Sequence, residues 1–97
     1  MDNENRTIPR IHVECPMSYN NIDSPERKKG IALDVSNSGI QFLTTEKLEE
    51  GSLKEIRLEP LDNSIAPLNA IIQIVRVEIA VGMNNQFKTA GVIKIIK

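Results

Sequence analysis

The stretch Asn69-Ala70-Ile71-Ile72-Gln73-Ile74-Val75-Arg76-Val77-Glu78-Ile79-Ala80 decides the fold. Read as a helix, it places Ile71, Ile72, Val75 and Ile79 at helical spacing. Read as a strand, it places the odd-position series Ile71, Val75, Val77 and Ile79 on one face. Its β-branched content favours the strand, because such side chains pack well on a pleated surface and lose rotamer freedom in a helix. The whole chain carries the same bias. Of its 97 residues 14 are Ile and 6 are Val, against three aromatics, so residues 69–80 read as a strand in a chain of strands.

Working outward, Ile11, Val13, Cys15, Met17 and Tyr19 alternate with His12, Glu14 and Ser18, the period expected of a half-buried strand. Pro16 falls at an outward position and predicts an edge or a bulge. Gly30 to Val35 reads as a second strand with Ile31, Leu33 and Val35 on one face, and Ile40 to Thr44 as a third with Ile40 and Phe42 inward. Glu46 to Gly51 is a charged connector, Leu53 to Leu58 a fourth strand, and Phe87 to Ile96 closes the chain as a sixth. Turns are expected at 36–39, 60–67 and 83–86, where the residue types favour them. Six short strands with little or no helix predict an all-β, antiparallel barrel or sandwich over residues 11–97. Residues 1–10 are polar, contain Pro9 and show no apolar periodicity, which predicts a flexible N-terminal arm.

Composition removes several functions. A formal net charge of -1 argues against general nucleic-acid binding, which needs a broad basic surface. An oligonucleotide binder would also present stacking aromatics, whereas Tyr19, Phe42 and Phe87 all fall on expected core faces. No apolar run approaches the roughly 18 residues that span a bilayer, so no membrane insertion is expected. The N-terminal residues lack the apolar stretch of a signal peptide. The single Cys15 excludes an internal disulfide and suits a cytoplasmic location. Catalysis is not expected either. Cys15 and His12 lie on opposite faces of one strand, metal-ligand spacing is absent, and no Gly-rich phosphate loop precedes a helix.

Two local constellations carry chemistry. Arg6-Thr7-Ile8-Pro9-Arg10 holds two guanidiniums four positions apart, suited to bidentate contact with phosphate or with the O6/N7 edge of guanine. They are otherwise two solvated arginines of a polar tail. Asp34-Val35-Ser36-Asn37-Ser38-Gly39 ends a strand with Asp34 and Ser36 on one face. An ionised Asp only accepts hydrogen bonds, which suits the N1–H and N2–H donors of guanine. Gly39 permits positive φ or close backbone approach. The alternative is a hairpin turn in which Asp and Ser cap backbone amides.

Taken together, these residues resemble a PilZ domain, whose signature is RxxxR in an N-terminal arm followed by [D/N]xSxxG at a strand turn. Arg6 and Arg10 match the first part, and Asp34, Ser36 and Gly39 the second. "PRIHVECPMSY", "IQFLTTEKLEEGSLKEIRLEP" and "IIQIVRVE" look like the family's first strand, its third and fourth strands with their linker, and its fifth. The resemblance implies a six-stranded antiparallel β-barrel that acts as a bacterial, cytoplasmic receptor for the second messenger cyclic di-GMP, without a cofactor and without catalysis. It implies that the arm folds over the ligand and that the signal passes to an effector protein. Asn5 occupies the position that tunes ligand stoichiometry in such domains. Arg76 on the fifth strand either reaches the ligand or is a solvated residue near Glu78. The alternative function is a PilZ-like interaction adaptor with little or no nucleotide binding. Two departures stand out: no C-terminal helix follows the last strand, and Lys94 stands where the family tends to place an aromatic. With no helix to cover it, the outer face of the fifth strand, at Ile72 and Ile74, is expected to meet a partner or a second copy.

Overall fold

The computed structural model describes residues 11–60, 67–82 and 85–97, with backbone alone at 11–13. Arm residues 1–10 and most of the 60–67 turn lie outside the described residues, as do Met83 and Asn84. Six strands follow one another: β1 (Ile11–Asn21), β2 (Lys28–Val35), β3 (Gly39–Thr44), β4 (Leu53–Leu58), β5 (Leu68–Ile79) and β6 (Phe87–Ile96). They close into a barrel in the order β1-β2-β3-β6-β5-β4, every neighbouring pair antiparallel. No helix occurs among the described residues, and none is long and apolar enough to cross a membrane.

The alternation of β1 holds, with Cys15, Met17 and Tyr19 each buried inside the barrel. Pro16 marks no edge, because the barrel closes around β1. Its carbonyl accepts from Glu59 N–H at 2.9 Å, just past the end of β4. The N–H it lacks would face the same way, so the proline forgoes only the return bond to Glu59, at the very end of the ladder. The bulge in β1 lies slightly earlier, between His12 and Cys15.

Two strands differ from the sequence expectation, for one physical reason. On β2 the inward residue is Ala32, while Ile31 is 45% exposed. Against β3 the register slips between Ala32 and Asp34, so Leu33 is an extra residue, and the inward phase resumes at Val35, which packs on the core. On β5 the inward set is Ala70, Ile72 and Ile74, each at most 1% exposed, not the odd-numbered series. A second slip between Ile74 and Arg76 makes Val75 the extra residue, and Val77 turns inward after it. Each one-residue bulge moves the following side chains to the other face. Ile72 and Ile74 are therefore core residues and cannot form an outer contact face. A third slip falls at Lys94 on β6, where Ile71 pairs with Ile95 but Ile72 with Ile93.

Met17, Tyr19, Phe42, Ile56, Leu58, Ile72 and Ile74 fill the interior, and Leu48 reaches in from the 45–52 connector. Tyr19 and Phe42 pack with tilted rings at 6.0 Å. Phe87, expected on a core face, is only half-buried and is not part of this cluster. Burying an aromatic or a large aliphatic side chain contributes about 1.5–3 kcal/mol. The barrel rests on this cluster.

Candidate functional site

The β2–β3 turn is built by one hydroxyl. Ser36 N–H donates to Gly39 carbonyl oxygen at 2.9 Å, closing the hairpin. Ser36 Oγ then accepts from Ser38 N–H at 3.3 Å and from Gly39 N–H at 3.2 Å. A side-chain oxygen thus takes the amides that a backbone carbonyl would take in an ordinary turn. Among the described residues the Ser36 hydroxyl proton has two long acceptors, Gly39 carbonyl oxygen and Ser38 Oγ, both at 3.4 Å. It remains available to a better one.

Gly39 has no positive φ. It is required by proximity instead: a Cβ there would lie 2.9 Å from Gly91 carbonyl oxygen on β6. Ser38 carbonyl oxygen accepts from Ile93 N–H at 2.8 Å, so the turn is stitched to β6 as well as to β2.

Register places Asp34 within a row that crosses five strands. His12 pairs with Asp34, Asp34 with Gln41, Gln41 with Ala90, and Ala90 with Arg76. Its neighbouring row, Val35, Ile40, Gly91 and Ile74, points inward, so the row through Asp34 points outward. Between Asp34 and the turn lies an open concavity of about 200 Å³. Gly39, Ala90 and Gly91, all small, form its floor, and Asp34, Ser36 and Gln41 stand around it. Asp34 is half-buried there.

Asp34, Ser36 and Gly39, expected from sequence, are thus brought together. Arg76 is one strand removed and does not line the concavity, and its Nε lies 3.4 Å from Glu78 Oε2. Asn5, Arg6 and Arg10 lie outside the described residues. Gln41, Ala90 and Val92 were missed. Gln41 had a signal, a polar residue at the outward position between Ile40 and Phe42. Ala90 and Val92 had none, because only the non-local pairing of β3 with β6 puts them beside the turn. Among the described residues no group of three or more His, Cys, Asp or Glu is placed to hold a metal.

The PilZ domain profile matches residues 4–92. The chain belongs to the PilZ family. PilZ domains are cyclic di-GMP receptors and adaptors that work through effectors, and this chain is accordingly not an enzyme. No curated protein sequence matches it. Among solved structures it is similar to the Bacillus subtilis inhibitor of motility (MotI/DgrA), with TM-score 0.75 and 12% identity over 95% of this chain and 44% of that one. It is also similar to MrkH of K. pneumonia in its complex with c-di-GMP, with TM-score 0.64 and 13% identity over 93% of this chain and 44% of that one. The chain spans less than half the length of either, and identities this low speak for the fold alone.

Proposed function

We propose that this PilZ domain is a cyclic di-GMP receptor of the bacterial cytoplasm that signals to an effector protein. The observation that supports it best is the register at one end of the barrel. Ile11 pairs with Val35, so the chain joins β1 beside the Asp34–Gly39 turn. Arg10 immediately precedes Ile11 in the sequence, and consecutive Cα atoms are about 3.8 Å apart, so RxxxR is tethered next to DxSxxG. The ligand is a dianion with two guanines. In this reading Arg6 and Arg10 grip phosphate and a guanine O6/N7 edge. Asp34 accepts from guanine N1–H and N2–H, Ser36 offers its weakly engaged proton, and Gly39 lets the base approach the backbone.

The concavity, at about 200 Å³, is smaller than the ~300–1,000 Å³ of pockets that enclose a whole small molecule. It suits one base, leaving the rest of the ligand for the arm to cover. Fixing the arm costs about 1–2 kcal/mol per residue, to be offset by charge-assisted bonds of about 1.5–3 kcal/mol each. In this reading Asn5, directly before Arg6 in the sequence, influences how many ligands the arm holds. Arg76 reaches the ligand only by leaving Glu78. The output is then the new surface made by arm and ligand, which an effector reads.

The second reading, an interaction adaptor with little or no nucleotide affinity, is favoured by Ser36, whose acceptor capacity the turn's own amides already use. Calorimetric titration with cyclic di-GMP, GTP and linear pGpG separates the two. Saturable binding of the cyclic dinucleotide alone supports the receptor, and no heat with any of the three supports the adaptor.

A further inference from the structure

The β5–β6 ribbon runs past the end of β4 and leaves a sheet edge open. On its β4 side, β5 is paired as far as Leu53↔Gln73. The connector prolongs this by two bonds, Gly51 N–H to Ile74 carbonyl oxygen at 2.7 Å and Ile74 N–H to Ser52 carbonyl oxygen at 2.9 Å. Beyond Ile74, no strand among the described residues lies along that side of Val75–Ile79.

The backbone groups that face this edge can be assigned. Ala80 N–H donates to Gln86 carbonyl oxygen at 3.0 Å, so Ala80 and Gln86 form a hydrogen-bonded pair. Such pairs alternate along an antiparallel ladder. Glu78 therefore bonds to Lys88 and Arg76 to Ala90, while Val77 and Ile79 turn their N–H and C=O groups to the open edge. The side chains beside that edge are exposed as well: Val75 by 48%, Ile79 by 75%, and the Arg76 and Glu78 side chains by 55% and 52%.

An open edge is a template for another strand, and charges usually blunt it. Here the charges match themselves. About a two-fold axis through Val77, the segment Val75-Arg76-Val77-Glu78-Ile79 pairs antiparallel with its own copy. Val77 then meets Val77, and Arg76 meets the copy's Glu78. Val77 exchanges both hydrogen bonds with its counterpart, because its groups already face outward. Two opposite-charge pairs form on the outer side of the ribbon, and Val77 packs beside its counterpart on the other.

We infer that Val75–Ile79 is a self-complementary dimerisation edge through which two copies of this chain join β5 to β5. The contact is isologous and closes after one partner, so it yields dimers and not fibres. It uses neither the turn nor the arm, and Arg76 is the one residue it shares with the ligand reading.

Sedimentation velocity on the 97-residue chain over a concentration series tests it. The unmodified protein should shift from monomer to dimer with concentration. Glu78→Arg places Arg opposite Arg twice and should weaken the dimer about ten-fold or more. The double swap Arg76→Glu with Glu78→Arg restores opposite charges and should restore the dimer. A strictly monomeric unmodified chain, a Glu78→Arg dimer of full strength, or a double swap that stays monomeric would overturn the inference. Should Glu78→Arg fail to fold, amide exchange on the unmodified chain decides. Protection at Val77 and Ile79 that rises with concentration supports the edge, and exchange independent of concentration overturns it.

Discussion

The two ends of the barrel are built from similar materials to different effect. At the end away from the β2–β3 turn, polar groups bond to one another across long stretches of chain. Tyr19 Oη donates to Glu46 Oε2 at 2.8 Å, and Lys28 Nζ donates to Glu46 Oε1 at 3.2 Å. The Asn20 amide donates to two loop carbonyls, leaving only its Oδ1 unpartnered among the described residues there. Leu48 stops the interior behind them. A concavity of about 260 Å³ exists at that end too, but Tyr19, Asn20, Lys28, Glu46 and Lys54 in its lining already bond within the chain. At the turn end Ser36 Oγ bonds locally, to the Ser38 and Gly39 amides, the backbone reaches β6 through Ile93, and the outward row faces a floor of small residues. A polar group bonded to a distant one holds the fold together. A polar row over glycine and alanine is where the proposed ligand would sit. Substitutions at the turn end should therefore register in affinity, and those at the far end in stability.

The largest expected effect lies in the arm. Arg6→Ala or Arg10→Ala should weaken cyclic di-GMP binding about 100-fold, the loss of one or two charge-assisted bonds, with no change in melting temperature. Lys at either position should recover charge without the planar fork, and so only part of the affinity. Calorimetry beside a melting curve reads both quantities. Near-normal affinity in both Ala variants would break the contrast between the ends at its strongest point.

The turn itself sharpens the contrast, because two residues of one motif should separate. Asp34→Ala should cost about ten-fold or more in affinity, the loss of a charged acceptor, with the fold retained. Ser36→Ala should cost affinity and also about 1 kcal/mol of stability, since Ser36 Oγ holds two turn amides. Denaturant unfolding of the two variants, with titration of each, distinguishes them. Equal stability losses would make Asp34 a turn residue as well.

These residues also show what was legible in the chain. Strand positions were readable because each segment is bounded by turn residues, and β6 begins and ends at Phe87 and Ile96 as its pattern predicts. Facing was not readable on β2 and β5. Ile31, Leu33, Val75 and Ile79 are as apolar as the residues that face inward, so alternation cannot register an extra residue at Leu33 or Val75. Half of the candidate site followed from residue types in one short turn. Of the rest, Gln41 is set by the β2–β3 hairpin, while Ala90 and Val92 depend on β6 lying beside β3, a pairing between segments about half the chain apart.

At the far end, Tyr19→Phe should remove a buried hydroxyl from Glu46 and cost about 1 kcal/mol in denaturant unfolding. Messenger affinity should stay unchanged. A change in affinity without a change in stability would mean that this end, too, serves binding.

The smallest effect concerns pH at the same pair. Burial, followed by the hydrogen bond and charge of Glu46, pushes the Tyr19 phenol well above its usual range. For Glu46, burial acts upward, but hydrogen bonds from Tyr19 and Lys28 and the charges of Lys28 and Lys54 outweigh it and hold the carboxyl low. A carboxyl held lower in the folded state stabilises above its unfolded pKa, about 4.3, and that contribution is lost as pH falls through the folded value. A phenol held higher stabilises below its unfolded pKa, about 10, and that contribution fades as pH rises through the folded value. The pair thus supports the barrel between those limits and weakens on both sides. The Glu46 side chain is 39% exposed, so solvent screening limits its share to a few tenths of a kcal/mol. Glu46→Gln should flatten the acid limb of a stability–pH curve between about pH 5 and pH 3, and Tyr19→Phe should flatten the limb above pH 10. Curves that stay superimposable with the unmodified protein would remove Tyr19 and Glu46 from the interactions that hold the far end closed.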